Sequence, residues 1–532
     1  MEMPAHEWEA IDIKLDLAHH HSIRLRRWRN INTCPLFRLP IELLIDILEQ
    51  TLPSYGGFRF WVVLTAICHP LREMLICSSF PWRIVDTDSV PLAKLFLERS
   101  KFDPYVLFAM DRGRYSRKKV INRTAFWEAT EGRKFNNLSF FVFRGQRAEF
   151  EESVVDFLQR APSLSSLEVE ASSFTAWDLE WTHGGQLPNL TMLRLNKVRI
   201  SWECPLIRNL TKLILSYACV TVTVSSEPRP FRAFLSALEN CPDLEVLHLT
   251  DAGPDSLPSD EDDHEVVQLH KLQNLTLCFD DKSVVACILS HIWFPETTKV
   301  AVETSCYNGL AGALSQVLPS SDAGILQYLR KTTTVAIGFD CMSSQLATDN
   351  FSLVLVPDFG DGSDRSDLET FPQFVSKALE VIGGDTVVNL EVAFKQPYYL
   401  PRETWKTMLN CFPHLEVISY SVCSQLSGQG SVDVDPFCSI LSKSPVGGLV
   451  CPQLRCLRIP WSLTQDLSAS TLRETLLERA AGGKRLKRIS LSSRAVDEMG
   501  LLETFKGVVD KVSKFCAFGS PLPSSTVSRF VE

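Results

Sequence analysis

The sequence predicts a mixed α/β protein: a short all-α segment followed by an irregular solenoid, with parallel strands inside and helices outside. Three observations carry that expectation. A leucine pattern, L-x-x-L-x-L or a close variant, recurs from about residue 136 to residue 491. Stretches with apolar positions at helical spacing alternate with it. Ahead of the array stands one compact apolar helix entered through a proline at position 40.

The totals bound what such a chain does. At 532 residues it exceeds one ordinary core and suits several domains or a repeat array. An apolar content of 45% and a charged content of 22% are ordinary for a globular protein. A net charge of −9 argues against a dedicated nucleic-acid binder. No apolar run reaches the ~18 residues a membrane-spanning helix needs, and the start of the chain lacks a signal-type apolar core. The sixteen cysteines include no C-x-x-C pair, and several sit in apolar contexts. They read as reduced, buried thiols, which implies a cytoplasmic or nuclear protein.

Residues 1–33 are expected to be a lead-in, helical or disordered. Its basic cluster, 23–30, reads as a solvated helix face rather than an import signal, and His19, His20 and His21 as surface residues. In LFRLPIELLIDIL (36–48), Pro40 can open a helix, Glu42 suits the positive end of its dipole, and Pro53 closes the segment. Ile41, Leu44, Ile45 and Leu48 form one stripe, while Leu43 and Ile47 lie off it. A helix apolar on two sides is deep in a core or shared between a core and a partner.

These residues carry a resemblance. LPIELLIDIL is similar to the opening of an F-box, and LTAICHPLREMLICSSFPWRIV (64–85) to its second half, with Cys68, Arg72, Ser79, Pro81 and Trp82 on matching places. LAKLFLERSKFDPYVLFAM (92–110) resembles the strand segment that follows the box in many fungal members. The chain departs from the pattern at His69, Pro70 and Leu71, where members usually carry basic residues and a Trp. Pro70 is expected to interrupt or kink the helix there. The resemblance implies an F-box over 34–85 that docks a Skp-family adaptor and, through it, a cullin. It further implies contacts through Leu39, Pro40, Ile41, Leu43, Leu44, Ile47 and Leu48, with Cys68 and Leu71 behind them.

Residues 86–135 then read as a linker strand and loop, including the basic run 111–119. The leucine motifs begin at 138, 164, 190, 210, 244 and 272 in a first block, at steps of 20 to 34 residues, and at 415, 454 and 486 in a second, at steps of 39 and 32. That is an irregular leucine-rich-repeat domain over 136–510, followed by a tail, 511–532. TKVAV (298–302), TTVAIGF (333–339) and NLEVAF (389–394) supply weaker strands between its two blocks. A Pro stands two residues before the first leucine in five motifs, where it ends the preceding helix. One repeat cannot bury its leucines alone, whereas stacked neighbours can. Covering helices are expected at 151–160, 231–240, 371–382, 403–412 and 470–481.

No catalytic arrangement stands out. There is no G-x-S-x-G, P-loop, dinucleotide fingerprint or H-E-x-x-H. GLAGAL (309–314) lacks the strand-turn-helix setting, His183 has no nucleophile beside it, and Asp435 before Pro436 reads as a helix cap rather than half of a carboxylate pair with Asp433. The acidic stretches 253–265 and 358–367 lack calcium-loop spacing. The chain therefore reads as a binding protein rather than an enzyme, with no metal and no cofactor. Residues flanking the motif leucines, among them Glu168, Met192, Arg194, Lys212, Ile214, His248, Thr276, Arg458 and Arg488, should face away from the core on a concave surface. Met192, Arg194, His248, Arg458 and Arg488 are the expected contacts for a protein substrate. Two functions fit: the substrate receptor of an SCF-type ubiquitin ligase, or a leucine-rich scaffold without a ligase role.

Overall fold

The computed structural model describes residues 5–50, 58–78, 82–87, 89–101, 104–110, 126–128, 130–147, 150–171, 177–179, 187–217, 230–254, 266–306, 314, 316–318, 328–339, 344–357, 366–394, 400–422, 437, 440–441, 449–459, 466–492 and 505–515. Pro53, the basic run 111–119, His183, residues 309–313, Asp433 and Asp435, and nearly all of both acidic stretches lie outside them. Among the described residues most strands belong to one large, mostly parallel sheet of 17 strands that does not close. The chain forms two compact units, 1–175 with 183–192, and 176–182 with 193–532.

The first unit opens with helices α1 (Ala5–Thr33), α2 (Ile41–Gln50), α3 (Phe58–Ile67) and α4 (His69–Cys77), with a short 3-10 turn, Pro35–Arg38, after α1. Pro40 precedes α2 rather than opening it: its carbonyl accepts the Leu44 N–H at 3.0 Å. Pro70 does more than kink a helix. α3 stops at Ile67, Cys68 is extended (φ −156°, ψ 160°), and Pro70 falls in the first turn of α4, where a missing N–H costs nothing. Trp82 ties α4 to the chain beyond it. Its buried indole N–H donates to the Leu75 carbonyl at 2.7 Å, and its ring meets Phe96 edge-on at 4.9 Å. The Arg99 guanidinium lies 4.3 Å from the ring centre.

Strands β1 (Ile84–Asp86), β2 (Val106–Met110), β3 (Phe140–Gly145) and β4 (Ser166–Ala171) pair in parallel in chain order, with α5 (Val90–Arg99) after β1 and α6 (Val155–Gln159) after β3. Register places Val85, Leu107, Phe141 and Leu167 in one buried row. The ladder thus begins at Ile84, upstream of the leucine pattern. The stretch 92–110 expected as a strand holds most of helix α5 as well as β2. Beneath the sheet Phe157 packs on Trp127, Phe135 and Phe141 with ring centres 4.6 to 5.6 Å apart.

The second unit contains β5 (Trp177–Leu179) paired with β7 (Val198–Ile200), and β10 (Val267–Gln268) paired with β12 (Ile292–Trp293), as separate two-stranded ribbons. Its main ladder uses β6 (Met192–Asn196), β8 (Lys212–Ser216), β9 (Val246–Thr250), β11 (Asn274–Phe279), β13 (Lys299–Cys306), β14 (Thr334–Phe339), β15 (Ser344–Thr348), β16 (Phe351–Pro357), β17 (Asn389–Phe394), β18 (Val417–Val422), β19 (Cys456–Ile459), β20 (Arg488–Ser492) and β21 (Lys511–Phe515). Helices α7 (Pro230–Glu239), α8 (Lys282–His291), α9 (Ser366–Val381), α10 (Arg402–Cys411) and α11 (Asp466–Ala481) fall between strands. Parallel neighbours need such crossovers. Strand β21 occupies residues expected to be the start of a tail.

The leucine motif has one structural meaning throughout. Its first leucine is buried in a turn, and the strand starts two residues later, as with Leu244 before Val246 and Leu454 before Cys456. The N–H of that leucine donates three residues back: Leu164 to Ala161, Leu190 to Leu187, Leu244 to Cys241, Leu415 to Phe412 and Leu454 to Cys451. The preceding prolines therefore hold the second position of a β-turn, where a fixed φ is favoured. The other two apolar positions lie in register. Leu213, Leu247, Leu275 and Val300 form one buried row, and Leu215, Leu249, Leu277 and Val302 the next. Each such side chain contributes roughly 1.5–3 kcal/mol of burial before the entropy of ordering is counted.

The centre departs from a uniform array. Strand β13 pairs with β16, β16 with β15 and β15 with β14, and β14 then pairs with β17. Strand β15 is antiparallel to both its neighbours. Asp349 pins the turn after it, accepting the backbone N–H of Thr333 at 2.7 Å and the hydroxyls of Thr333 and Thr332 at 2.9 and 3.2 Å. Burial alone would raise its pKa, but these donors outweigh burial and lower it. Near the end of the sheet α11 is anchored by Arg479. Its wholly buried guanidinium donates to the carbonyls of Val450 and Cys451, both at 2.8 Å, and of Leu441 at 3.4 Å.

Candidate functional site

The expected site residues fall on two surfaces, one in each unit. The first is built on α2. Its entry through Pro40 and its two-sided apolar pattern split the helix between inside and outside. Leu44 is 2% exposed and belongs to the core, whereas Leu43 is 51% and Ile47 43% exposed. Leu43 and Ile47 are four residues apart on α2 and so share one face of the helix; Leu39 precedes it in extended backbone. Leu39 and Pro40 are exposed, Leu48 and Cys68 are half-buried, and Leu71 is buried in α4. Ile41 lies in α2, with its side chain outside the described residues. Leu44, expected at a partner, is instead enclosed by its own chain, because its place on the stripe faces inward.

Sequence reasoning missed further outward apolar residues in the same helical segment. Leu36, Val63, Ile67 and Ile76 are all exposed. Val63 and Ile67 carry a readable signal, being one turn apart on α3. A single exposed apolar side chain is ordinary; here several occur between residues 36 and 76.

The second surface is the strand face opposite the leucine rows. Register aligns Ile214, His248, Thr276 and Ala301 across β8, β9, β11 and β13, then Ser352, Ala347 and Ala336 across β16, β15 and β14. The row continues as Glu391, Ser419, Arg458, Ser490 and Ser513 to β21. Of the expected contacts, Met192 and Arg194 are half-buried, and Arg458 and Arg488 are exposed. His248 is buried, with Nε2 2.9 Å from the Thr250 hydroxyl, so it is part of the face's support rather than an open contact. Burial, together with the charge of Arg194, lowers its pKa to about 4. Thr276 is likewise buried.

Charge on this face is mixed. Burial raises the pKa of Glu391, against the opposing pull of Arg458. One register further along the strands, Thr250, Cys278 and Glu303 align. Burial raises the Glu303 carboxyl, helped by Asp251, and pushes the Cys278 thiol up to about 12. Asp280 is engaged locally, accepting the Ser305 hydroxyl at 2.6 Å. A thiol so disfavoured as thiolate is poorly nucleophilic. Among the described residues no group of His, Cys, Asp and Glu side chains is placed to hold a metal ion. Among them, too, no helix is long and apolar enough to cross a membrane.

The chain matches no model of a known protein family, and no curated protein is similar to it.

Proposed function

We propose that the chain is the substrate-recognition subunit of an SCF-type ubiquitin ligase. Its F-box, about residues 34–85, docks a Skp-family adaptor and thereby a cullin, and its leucine-rich solenoid holds a protein substrate on the strand face opposite the leucine rows, through exposed residues such as Arg458 and Arg488. The observation that carries this reading is the division of α2. The motif residues Leu39, Leu43 and Ile47 face outward, while Leu44 and, nearby in sequence, Leu71 and Trp82 are enclosed. A helix that keeps two large apolar side chains in water, with a third just before it, is suited to bury them against another protein. The registered strand face supports the second half of the reading, since residues far apart in sequence line up on it at strand spacing. Such a receptor performs no chemistry itself; it raises the effective concentration of substrate lysines near the ubiquitin-loaded enzyme.

The test is the pair Leu43→Arg and Ile47→Arg in the full chain, titrated with purified Skp-family adaptor. Two exposed positions tolerate the change in the free protein, but each would place an unpaired guanidinium in the docked interface. Binding weakened at least ~100-fold, with an unchanged circular-dichroism spectrum, supports the reading. Wild-type affinity in the variant refutes this use of the helix. The second reading is a leucine-rich scaffold with no ligase role, and the break at Cys68 beside His69, Pro70 and Leu71 favours it. Folded wild-type protein that ignores the adaptor would select it.

A further inference from the structure

Cations at the entry to the last strands of the sheet have partners. An Arg455 guanidinium nitrogen lies 3.4 Å from the Glu416 carboxylate, and the Arg485 Nε lies 3.2 Å from that of Asp510. Three cations on the strands themselves are placed differently. Arg458 on β19, Arg488 on β20 and Lys511 on β21 are exposed, and none of them is in an ion pair among the described residues. Register sets all three on one face: Arg488 stands between Cys456 and Lys511, and Arg458 directly beside Ser490. The alternate residues Leu457, Ile459, Ile489 and Leu491 are buried on the other face.

This arrangement works against stability, since Arg488 and Lys511 are like charges at directly opposed positions. Their neighbours in the same rows are small and uncharged, Ser419, Cys456, Ser490 and Ser513, so the three long side chains stand above their surroundings. The acid in these rows is Glu391, two strands from Arg458. It is half-buried, and burial raises its pKa, which makes it a weak counter-charge. At ordinary strand spacing and rise, the Cα atoms of Arg458 and Lys511 are ~12 Å apart, and those of Arg458 and Arg488 ~8 Å. That spread suits several anionic groups in a row better than one. An extended peptide supplies such a row, because its alternate side chains share a face and stand ~7 Å apart. A patch of three cations in a chain of net charge −9 suits a short acidic segment rather than a nucleic acid.

We propose that Arg458, Arg488 and Lys511 form the docking site for an acidic segment of the protein substrate, extended across β19–β21 with Asp or Glu at alternate positions. The proposal rests on the strand face being the substrate-holding surface, and it names the chemistry of what that surface holds.

The experiment is fluorescence anisotropy on the full chain, at low salt, with a labelled Glu-Ser repeat peptide as probe. Wild type should bind it, with affinity falling as salt is raised, and should ignore a Gln-Ser repeat. The triple variant Arg458→Gln, Arg488→Gln and Lys511→Gln should bind at least ~30-fold more weakly. A control with Arg24→Gln, Arg26→Gln and Arg27→Gln loses the same charge from exposed positions on α1 and should bind as wild type does. Changing the three strand cations to Glu should reverse the preference, toward a Lys-Ser repeat. No binding by folded wild type, equal weakening in the α1 control, or tighter binding of a labelled single-stranded DNA than of the peptide would overturn the proposal. Adaptor titration of the same variants keeps the two readings apart. A strand-face variant that loses the peptide but holds the adaptor leaves both standing, whereas wild type that holds the adaptor but not the peptide sinks this inference alone.

Discussion

Replacing Leu44 and Leu43 one at a time separates the two faces of α2. Leu44 is 2% exposed, so Leu44→Ala removes a fully enclosed side chain and leaves a cavity, at a cost of about 2–5 kcal/mol. Leu43 is 51% exposed, and alanine is the better helix former, so Leu43→Ala should cost less than about 1 kcal/mol. A chain of two compact units is not expected to unfold in one step, so the assay is hydrogen exchange followed peptide by peptide. At 1.4 kcal/mol per decade, Leu44→Ala should speed exchange of amides in α2 by ~30-fold or more, and Leu43→Ala by less than ~5-fold. Comparable acceleration by the two variants would mean that Leu43 is as enclosed as Leu44, and the outward face of α2 would lose its basis.

Two further outcomes rest on buried polar groups. Arg479→Met should leave the carbonyls of Val450 and Cys451 without their donor and loosen α11 and the turn before β19 by about 2–4 kcal/mol, seen as faster exchange of amides in 449–459 and 466–481. His248 is held neutral, with its pKa lowered from 6.5 to about 4, so the unfolded chain binds a proton that the folded chain refuses. Its folded-state advantage is full above pH 6.5 and is lost as pH falls toward 4, on the order of 3 kcal/mol across that window. His248→Gln should therefore show a shallower fall of thermal stability between pH 6.5 and 4 than wild type; parallel curves would refute it.

Much of the strand ladder was legible because the leucine motif fixes three buried positions at once. Leu244, Leu247 and Leu249 illustrate it: one closes the turn and two share a strand face. The prolines were legible as boundaries but not as turn residues, since only the hydrogen bond from the third residue after the turn's start distinguishes the two. Helix α8 was not among the expected helices, although Asp281 caps it, accepting the Ser283 N–H at 2.9 Å. The antiparallel strand β15 was hidden for a different reason. Its residues, SQLAT, carry one leucine, and its place is set by the turn that Asp349 holds through threonines 15 to 17 positions earlier. On α2 the apolar pattern announced two faces, but only packing decides which face is inside, and it placed Leu44 inward.

The most direct test of the account is a calorimetric titration of the full chain with purified Skp-family adaptor at two or more temperatures. The outward α2 surface predicts a one-to-one complex with a negative heat-capacity change, the signature of apolar burial. Absence of binding by folded protein would contradict it and leave the strand face as the surface on which this chain's function rests.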